Sequence, residues 1–143
     1  MPRRDPFWIC CWCLALPLAA PLLGDGLRDH DAFLCAVLEV SRCAPEEGCA
    51  RVALGDLNVP DFAEIDLAAK LVRTTAASGE NRSTPILSAV RQERSILLQG
   101  VEKGRAWSFV LDEESGRLTA AVARQEISVN VFAVCTPLPA DHP

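Results

Sequence analysis

The sequence predicts an all-β fold, an antiparallel meander of about eight strands that forms a small closed or strongly curved β-barrel. Three observations support this prediction. From residue 32 onward, apolar residues recur mainly with the period of two that is typical of strands. The apolar runs are short and turn residues separate them. Eight antiparallel strands are also enough for a sheet to close and remove its exposed edges. A two-sheet β-sandwich is the alternative fold.

Residues 1–26 differ from the rest of the chain and predict a secretory signal peptide. Arg3 and Arg4 begin it, an apolar run follows over residues 7–23, and small residues lie near its end. Cleavage is expected between positions 20 and 26. A retained membrane anchor is the alternative, although about 17 apolar residues with two prolines are barely enough for a spanning helix. Residues 27–143 are then a single disulfide-stabilised β domain, either periplasmic or secreted.

Eight strands are predicted along the remaining chain. They lie at residues 33–38, 62–67, 70–75, 86–91, 95–101, 105–111, 118–124 and 127–136. The first strand is expected to end before a cysteine loop, and residues 51–60 are irregular, with a short helix there if anywhere.

Two of the connections between the strands are informative. The second and third strands form a hairpin in which Glu64 faces Arg73 and Ile65 faces Val72. Residues 76–85 form the longest polar stretch and are expected to be a loop.

Four cysteines lie beyond residue 26 and predict two disulfides in an oxidising compartment. Cys43 and Cys49 flank a short segment with proline and glycine, so we expect them to pair. Cys35 and Cys135 are then paired by elimination, and their bridge would join the first and last strands of a closed meander. Three connectivities are open from the sequence alone. A zinc site is a weaker alternative, because the closest pair is separated by five residues with no histidine nearby.

Composition and motifs disfavour several functions. The chain has 14 basic and 19 acidic residues and a net charge of −5, which argues against nucleic acid as a partner. Membrane contact is expected only through an uncleaved leader. His30 precedes the first strand and His142 is the penultimate residue, so neither is placed to activate a nucleophile. No phosphate-binding loop and no calcium-loop spacing is present in the sequence. Asp29, His30 and Asp31 are metal-ligand residue types but are expected to be a solvated segment, so no cofactor and no metal are expected.

Aromatic and acidic side chains supply the candidate sites. Trp107 and Phe109 share one face of a predicted strand and are candidate ligand-binding residues, and core packing is the alternative explanation for them. Glu64 and Asp66 share a strand face, and an ion pair with Arg73 accounts for Glu64. The acidic turn at residues 112–114 is expected to be solvated.

Segments 98–108, 112–118 and 131–137 resemble small exported bacterial proteins to which no activity is assigned. The resemblance covers roughly residues 31–138. It implies a periplasmic setting and supplies no catalytic residues. In architecture alone, the predicted barrel is also similar to small periplasmic barrels that inhibit lysozyme.

Three functions are therefore compared. The first is an exported, non-enzymatic binding or accessory protein, expected as a monomer, whose partner is an unknown protein or a small apolar ligand. The second is an inhibitor of a hydrolase that acts through the protruding loop at residues 76–85. The third is a hydrolase that uses Glu64, Asp66 or Asp112 as an acid or base.

Overall fold

The structure is a computed structural model that describes residues 26–139. The predicted leader up to residue 25 and His142 lie outside the described residues. Within this range the fold is all-β, as predicted, with three short 3₁₀ turns at Leu27–Asp29, Leu54–Leu57 and Ala76–Ser78. No helix between residues 26 and 139 is both long and apolar enough to cross a membrane.

Ten strands form a single antiparallel sheet. They are β1 (Ala32–Ala44), β2 (Gly48–Val52), β3 (Phe62–Asp66), β4 (Leu71–Thr74), β5 (Ser83–Pro85), β6 (Ser88–Gln92), β7 (Ser95–Glu102), β8 (Arg105–Asp112), β9 (Arg117–Arg124) and β10 (Ile127–Pro137). Nine follow the order β5-β4-β3-β1-β10-β9-β8-β7-β6, and β2 pairs with β1 off this path. The sheet curls through 285° into a half-barrel. The strongly curved form of the predicted barrel is therefore the observed one, and the sandwich is not.

The first strand is longer than predicted. Instead of ending at Leu38, β1 continues to Ala44 past a β-bulge between Val37 and Glu39. The bulge places Leu38 in solvent and returns Val40 to the core. Beyond it, β1 forms a hairpin with β2, in which Cys43 lies opposite Cys49. The predicted cysteine loop is therefore the turn of a β-hairpin, and the prediction that it ends the first strand is wrong.

The polar stretch at residues 76–85 is also only partly a loop. Its last three residues form β5, which pairs with β4. The two residues after β5 then connect the two edges of the half-barrel. Ile86 donates its N–H to the Lys70 carbonyl at 2.9 Å, and Leu87 donates to the Gln99 carbonyl at 2.9 Å. Lys70 lies on the β5 side of the sheet and Gln99 on the β6 side. The covalent chain therefore crosses the gap between the two edge strands, which do not pair with each other.

The inner face of the half-barrel carries the core. Alternate residues of each strand point inward, and the most completely buried side chains are those of Phe33, Cys35, Val40, Ile65, Ile96, Leu98 and Leu111. The predicted hairpin is confirmed in detail, since Glu64 lies opposite Arg73 and Ile65 opposite Val72.

Both predicted disulfides are present. Cys35 and Cys135 are directly opposite each other in the β1–β10 pair, and both are buried. Cys43 and Cys49 close the β1–β2 hairpin. Two disulfides are compatible with an oxidising, exported location.

The N-terminal segment, residues 26–31, packs against one end of the half-barrel and is held by Arg91. Leu27 is buried and donates its N–H to the Glu113 carbonyl at 2.9 Å. The Arg91 guanidinium donates to the carbonyls of Arg28 and His30 and to the Asp31 carboxylate. It also donates to the Glu113 carboxylate at 2.9 Å. One side chain of β6 therefore links this segment to the β8–β9 turn.

Loss of the long-range disulfide should destabilise the protein more than loss of the short-range one. The cysteines of the two bridges are 100 and 6 positions apart in sequence. The loop-entropy contributions are about 4.7 kcal/mol for Cys35–Cys135 and about 2.4 kcal/mol for Cys43–Cys49. The double variants Cys35→Ala/Cys135→Ala and Cys43→Ala/Cys49→Ala can be compared by urea unfolding. Equal losses, or a larger loss for the short loop, would contradict this expectation.

Replacing Arg91 with methionine should lower the free energy of unfolding by about 2–3 kcal/mol, because it leaves the buried Glu113 carboxylate without a cation. Arg94→Met is the matched control, since Arg94 pairs with Asp112 and Glu114 near the surface and should cost less than about 1 kcal/mol. The double variant Arg91→Met/Glu113→Gln should regain part of the loss. Thermal and urea unfolding measure all three, and equal effects of the two single variants would refute the role given to Arg91.

Candidate functional site

Trp107 and Phe109 lie on the inner face of β8, as predicted. Trp107 is buried and Phe109 half-buried, and their ring centroids are 4.7 Å apart. The Trp107 ring lies over Gly100 of β7, where a Cβ would come within 2.1 Å of it. Its indole N–H is buried and has no hydrogen-bond partner within residues 26–139. The two rings are therefore packed into the core, and the indole N–H of Trp107 is an unpaired hydrogen-bond donor among the described residues.

A groove of about 450 Å³ lies behind Trp107, on the outer face of β7–β10. We call it the outer groove; it is lined by Leu87, Ser88, Gln99, Gly100, Val101, Ala106, Trp107, Ser108, Ala121, Val122, Ala123 and Ser128. On each of β7, β8 and β9 these are three consecutive residues, centred on an inward-facing one. The next inward-facing neighbours, Leu98, Phe109 and Ala120, do not line the groove. The alternation of strand residues therefore places it outside the half-barrel.

A row of larger side chains runs beside the outer groove. We call it the outer ridge; it follows the strand register through Val90, Leu97, Val110, Thr119 and Phe132. Val90, Val110 and Phe132 are each more than 40% exposed. Half-buried Leu97 and the polar Thr119 separate these three exposed apolar side chains in the row, so the outer ridge is not a continuous apolar patch.

The loop that connects β4 to β5, residues 75–82, is held in one conformation by its own hydrogen bonds. The Thr74 hydroxyl donates to the Glu80 carbonyl at 2.7 Å and accepts from the Arg82 N–H at 3.1 Å. The Ser78 hydroxyl donates to the Thr75 carbonyl and accepts from the Glu80 N–H. Residues 76–82 are nevertheless all exposed. The loop is thus an ordered, protruding surface.

Arg82 fastens this loop to the rest of the protein. Its guanidinium donates to the Asn58 carbonyl at 2.9 Å and pairs with the Glu80 carboxylate. The turn at Gly79 has a φ of +69°, which a residue without a side chain adopts readily. The sequence predicted a loop here, but its internal order depends on the hydroxyls of Thr74, just before the loop, and of Ser78, in its middle.

Two of the three candidate carboxylates have structural roles. Glu64 accepts a hydrogen bond from the Arg73 guanidinium at 2.7 Å, and this contact raises the pKa of Arg73. The Asp66 carboxylate accepts the Ala69 N–H at 2.8 Å and so stabilises the β3–β4 turn. Both contacts use the carboxylates as hydrogen-bond acceptors in a hairpin.

Asp112, the third candidate, organises the β8–β9 turn. Its carboxylate accepts the Ser115 N–H at 2.8 Å and the Ser115 hydroxyl at 2.9 Å, and Arg94 lies 3.2 Å away. These contacts, those from Ser115 first, lower the pKa of Asp112 to about 2. A general acid at neutral pH needs the opposite shift, so the carboxylate acts here as a permanent anion.

Glu113 is a buried carboxylate that the sequence did not reveal. The acidic turn was expected to be solvated, but Glu113 is only 4% exposed. Its burial depends on Arg91, which comes from a different strand and lies 2.9 Å away. Nothing in the local sequence distinguishes Glu113 from the exposed Glu114 beside it.

The structure shows no metal centre in the part of the chain that it describes. Between residues 26 and 139, no three His, Cys, Asp or Glu side chains lie close enough together to hold a metal ion. Comparison with known protein families, curated proteins and solved structures finds no significant match.

Replacing Asp112 with asparagine should change how stability depends on pH. A carboxylate with a lowered pKa stabilises the folded state above its unfolded pKa, near 3.9, and loses this contribution as the pH falls towards 2. Asp112→Asn should therefore lower the melting temperature at pH 7, and the difference from wild type should shrink between pH 4 and pH 2. The exposed Asp56→Asn serves as the control. A pH-independent difference for Asp112→Asn would show that the charge of Asp112 is not involved.

Proposed function

We propose that this is an exported, non-enzymatic protein that binds a partner protein through the β4–β5 loop. The observation that carries the proposal is that residues 76–82 are all exposed yet internally hydrogen-bonded. A loop that is already ordered loses little conformational entropy when it binds, so more of its contact energy remains as affinity. A flexible loop of the same composition would bind more weakly.

Export is supported by two independent features. The leader has the basic, apolar and small-residue parts of a secretory signal. The four cysteines beyond it form two disulfides, which persist in oxidising compartments. A net charge of −5 favours neither nucleic acid nor an anionic membrane as the partner.

A hydrolase inhibitor is a special case of the same proposal. In that case the protruding loop would enter the active-site cleft of the partner. The exposed residues near its tip are small or polar, with Ala76 and Ala77 before Gly79, and small side chains suit a narrow cleft. The binding proposal does not require this special case, and the experiment below identifies the partner in either case.

A bulky charge at the loop tip should abolish partner binding. Ala77→Arg places a long side chain on an exposed residue and removes no hydrogen bond. Ala69→Arg, an identical change at an exposed residue of the β3–β4 turn, is the control. The immobilised wild type and both variants are exposed to the exported proteins of the source cells, and captured proteins are quantified by mass spectrometry. Wild type and Ala69→Arg should retain the same partner, and Ala77→Arg should retain at least tenfold less.

A second variant tests whether loop order contributes to affinity. Thr74→Val removes the hydroxyl that connects both ends of the loop. Its affinity for the captured partner, measured by calorimetry, should fall about fivefold from the entropy of ordering the loop on binding. Equal capture by wild type and Ala77→Arg would overturn the proposed function.

A further inference from the structure

We infer that the Cys43–Cys49 bridge is a site of thiol–disulfide exchange, at which an external thiol attacks the sulfur of Cys49 and releases Cys43 as a thiolate. The bridge lies next to the turn of the β1–β2 hairpin. The site shares no residue with the β4–β5 loop and goes beyond the proposed function. Its substrate is a thiol, carried either by a small molecule or by another protein.

Access from solvent distinguishes the two disulfides. A thiolate must reach a disulfide sulfur in order to attack it, and exposed bridges are the ones that exchange readily. Cys35 and Cys135 are only 2% and 4% exposed, so a reagent in solution does not reach their bridge in the folded protein. Cys49 is exposed, as is most of β2, whereas Cys43 is half-buried. Attack is therefore expected at the Cys43–Cys49 bridge, and on its Cys49 sulfur.

Asn130 makes Cys43 the better leaving group of the pair. From β10, the Asn130 side-chain amide donates to the Cys43 sulfur at 3.9 Å. A disulfide sulfur is a weak acceptor, but a departing thiolate gains a negative charge, which strengthens the hydrogen bond that it accepts. Exchange is faster when the leaving thiolate is more stable. Exposure of Cys49 and the amide beside Cys43 therefore favour the same direction of attack.

The exchange conserves atoms and electrons. The external thiolate forms a new S–S bond to Cys49 while the Cys43–Cys49 bond breaks. The electron pair of the broken bond leaves on the Cys43 sulfur, which takes a proton from water. When the reagent is a dithiol, its second thiolate attacks its own first sulfur in the mixed disulfide and releases Cys49. The dithiol is thereby oxidised to a disulfide, and the protein bridge is reduced to two thiols.

The hairpin holds the two thiols together after reduction. β1 and β2 pair over five residues, and this register places Cys43 opposite Cys49. An ion pair between Arg51 and Glu39 also links the two strands. Because the cysteines are only 6 positions apart, their bridge restricts the unfolded chain less than the long-range one does. The reduced protein should therefore stay folded, and the exchange should be reversible.

Partial reduction without denaturant tests the site. The disulfide-bonded protein is incubated with reduced glutathione, free thiols are alkylated at intervals, and peptide mass spectrometry locates them. The Cys43–Cys49 bridge should open about 100-fold faster than Cys35–Cys135, with glutathione on Cys49 and the free thiol on Cys43. Dithiothreitol should yield both free thiols, and the bridge should reform after its removal. Equal rates for the two bridges, or glutathione mainly on Cys43, would overturn the inference.

A substitution at Asn130 tests the leaving group. Asn130→Val removes the donor, so glutathione should open the bridge about threefold more slowly and should be found on both cysteines. Ser128→Val is the matched control, because Ser128 lies opposite Cys43 on the same strand and its replacement adds similar bulk. Its rate should stay close to that of wild type, and melting temperatures confirm that both variants fold. Equal slowing by both variants, or no effect of Asn130→Val, would refute the role of Asn130.

Discussion

The pairing of β1 with β10 is the constraint on which the rest of the structure depends, because it joins the two ends of the folded chain. The strands pair from Phe33 with Pro137 to Cys43 with Ser128. All other strands are added outward from this pair, β3–β5 on one side and β9–β6 on the other. Closing so long a loop costs chain entropy, and the Cys35–Cys135 bridge lowers that cost by restricting the unfolded state. The fold therefore depends most on contacts that are remote in sequence.

Polar contacts of one edge strand fasten the N-terminal segment to the end of the half-barrel. β5 and β6 are the edges of the sheet, and the Arg91 guanidinium of β6 reaches the N-terminal segment and the buried Glu113 carboxylate. Burial of an unpaired carboxylate would be strongly unfavourable, so the burial of Glu113 requires Arg91. The N-terminal segment is consequently part of the domain, although it belongs to no strand. One arginine therefore contacts two separate parts of the chain, residues 28–31 and Glu113.

Much of this fold could be predicted because apolar and polar residues alternate along most of its strands and because four cysteines allow few pairings. The Glu64–Arg73 register followed from the hairpin loop alone. The short strands β2 and β5 could not be predicted, since three to five residues become a strand only when a neighbour supplies hydrogen bonds. The inner-face position of Trp107 was predictable from alternation, whereas the outer groove was not. Its alanines and serines carry no local signal, and they form a groove only when β7–β10 lie side by side.

The packed interior leaves the outside of the protein for the partner binding that we propose. Phe33, Ile96 and Leu98 are completely buried, so the inner face is committed to stability, and the loop and the outer face remain for contact with other molecules. Of these, the β4–β5 loop is the surface that we propose for recognition, because its own hydrogen bonds order it before a partner arrives.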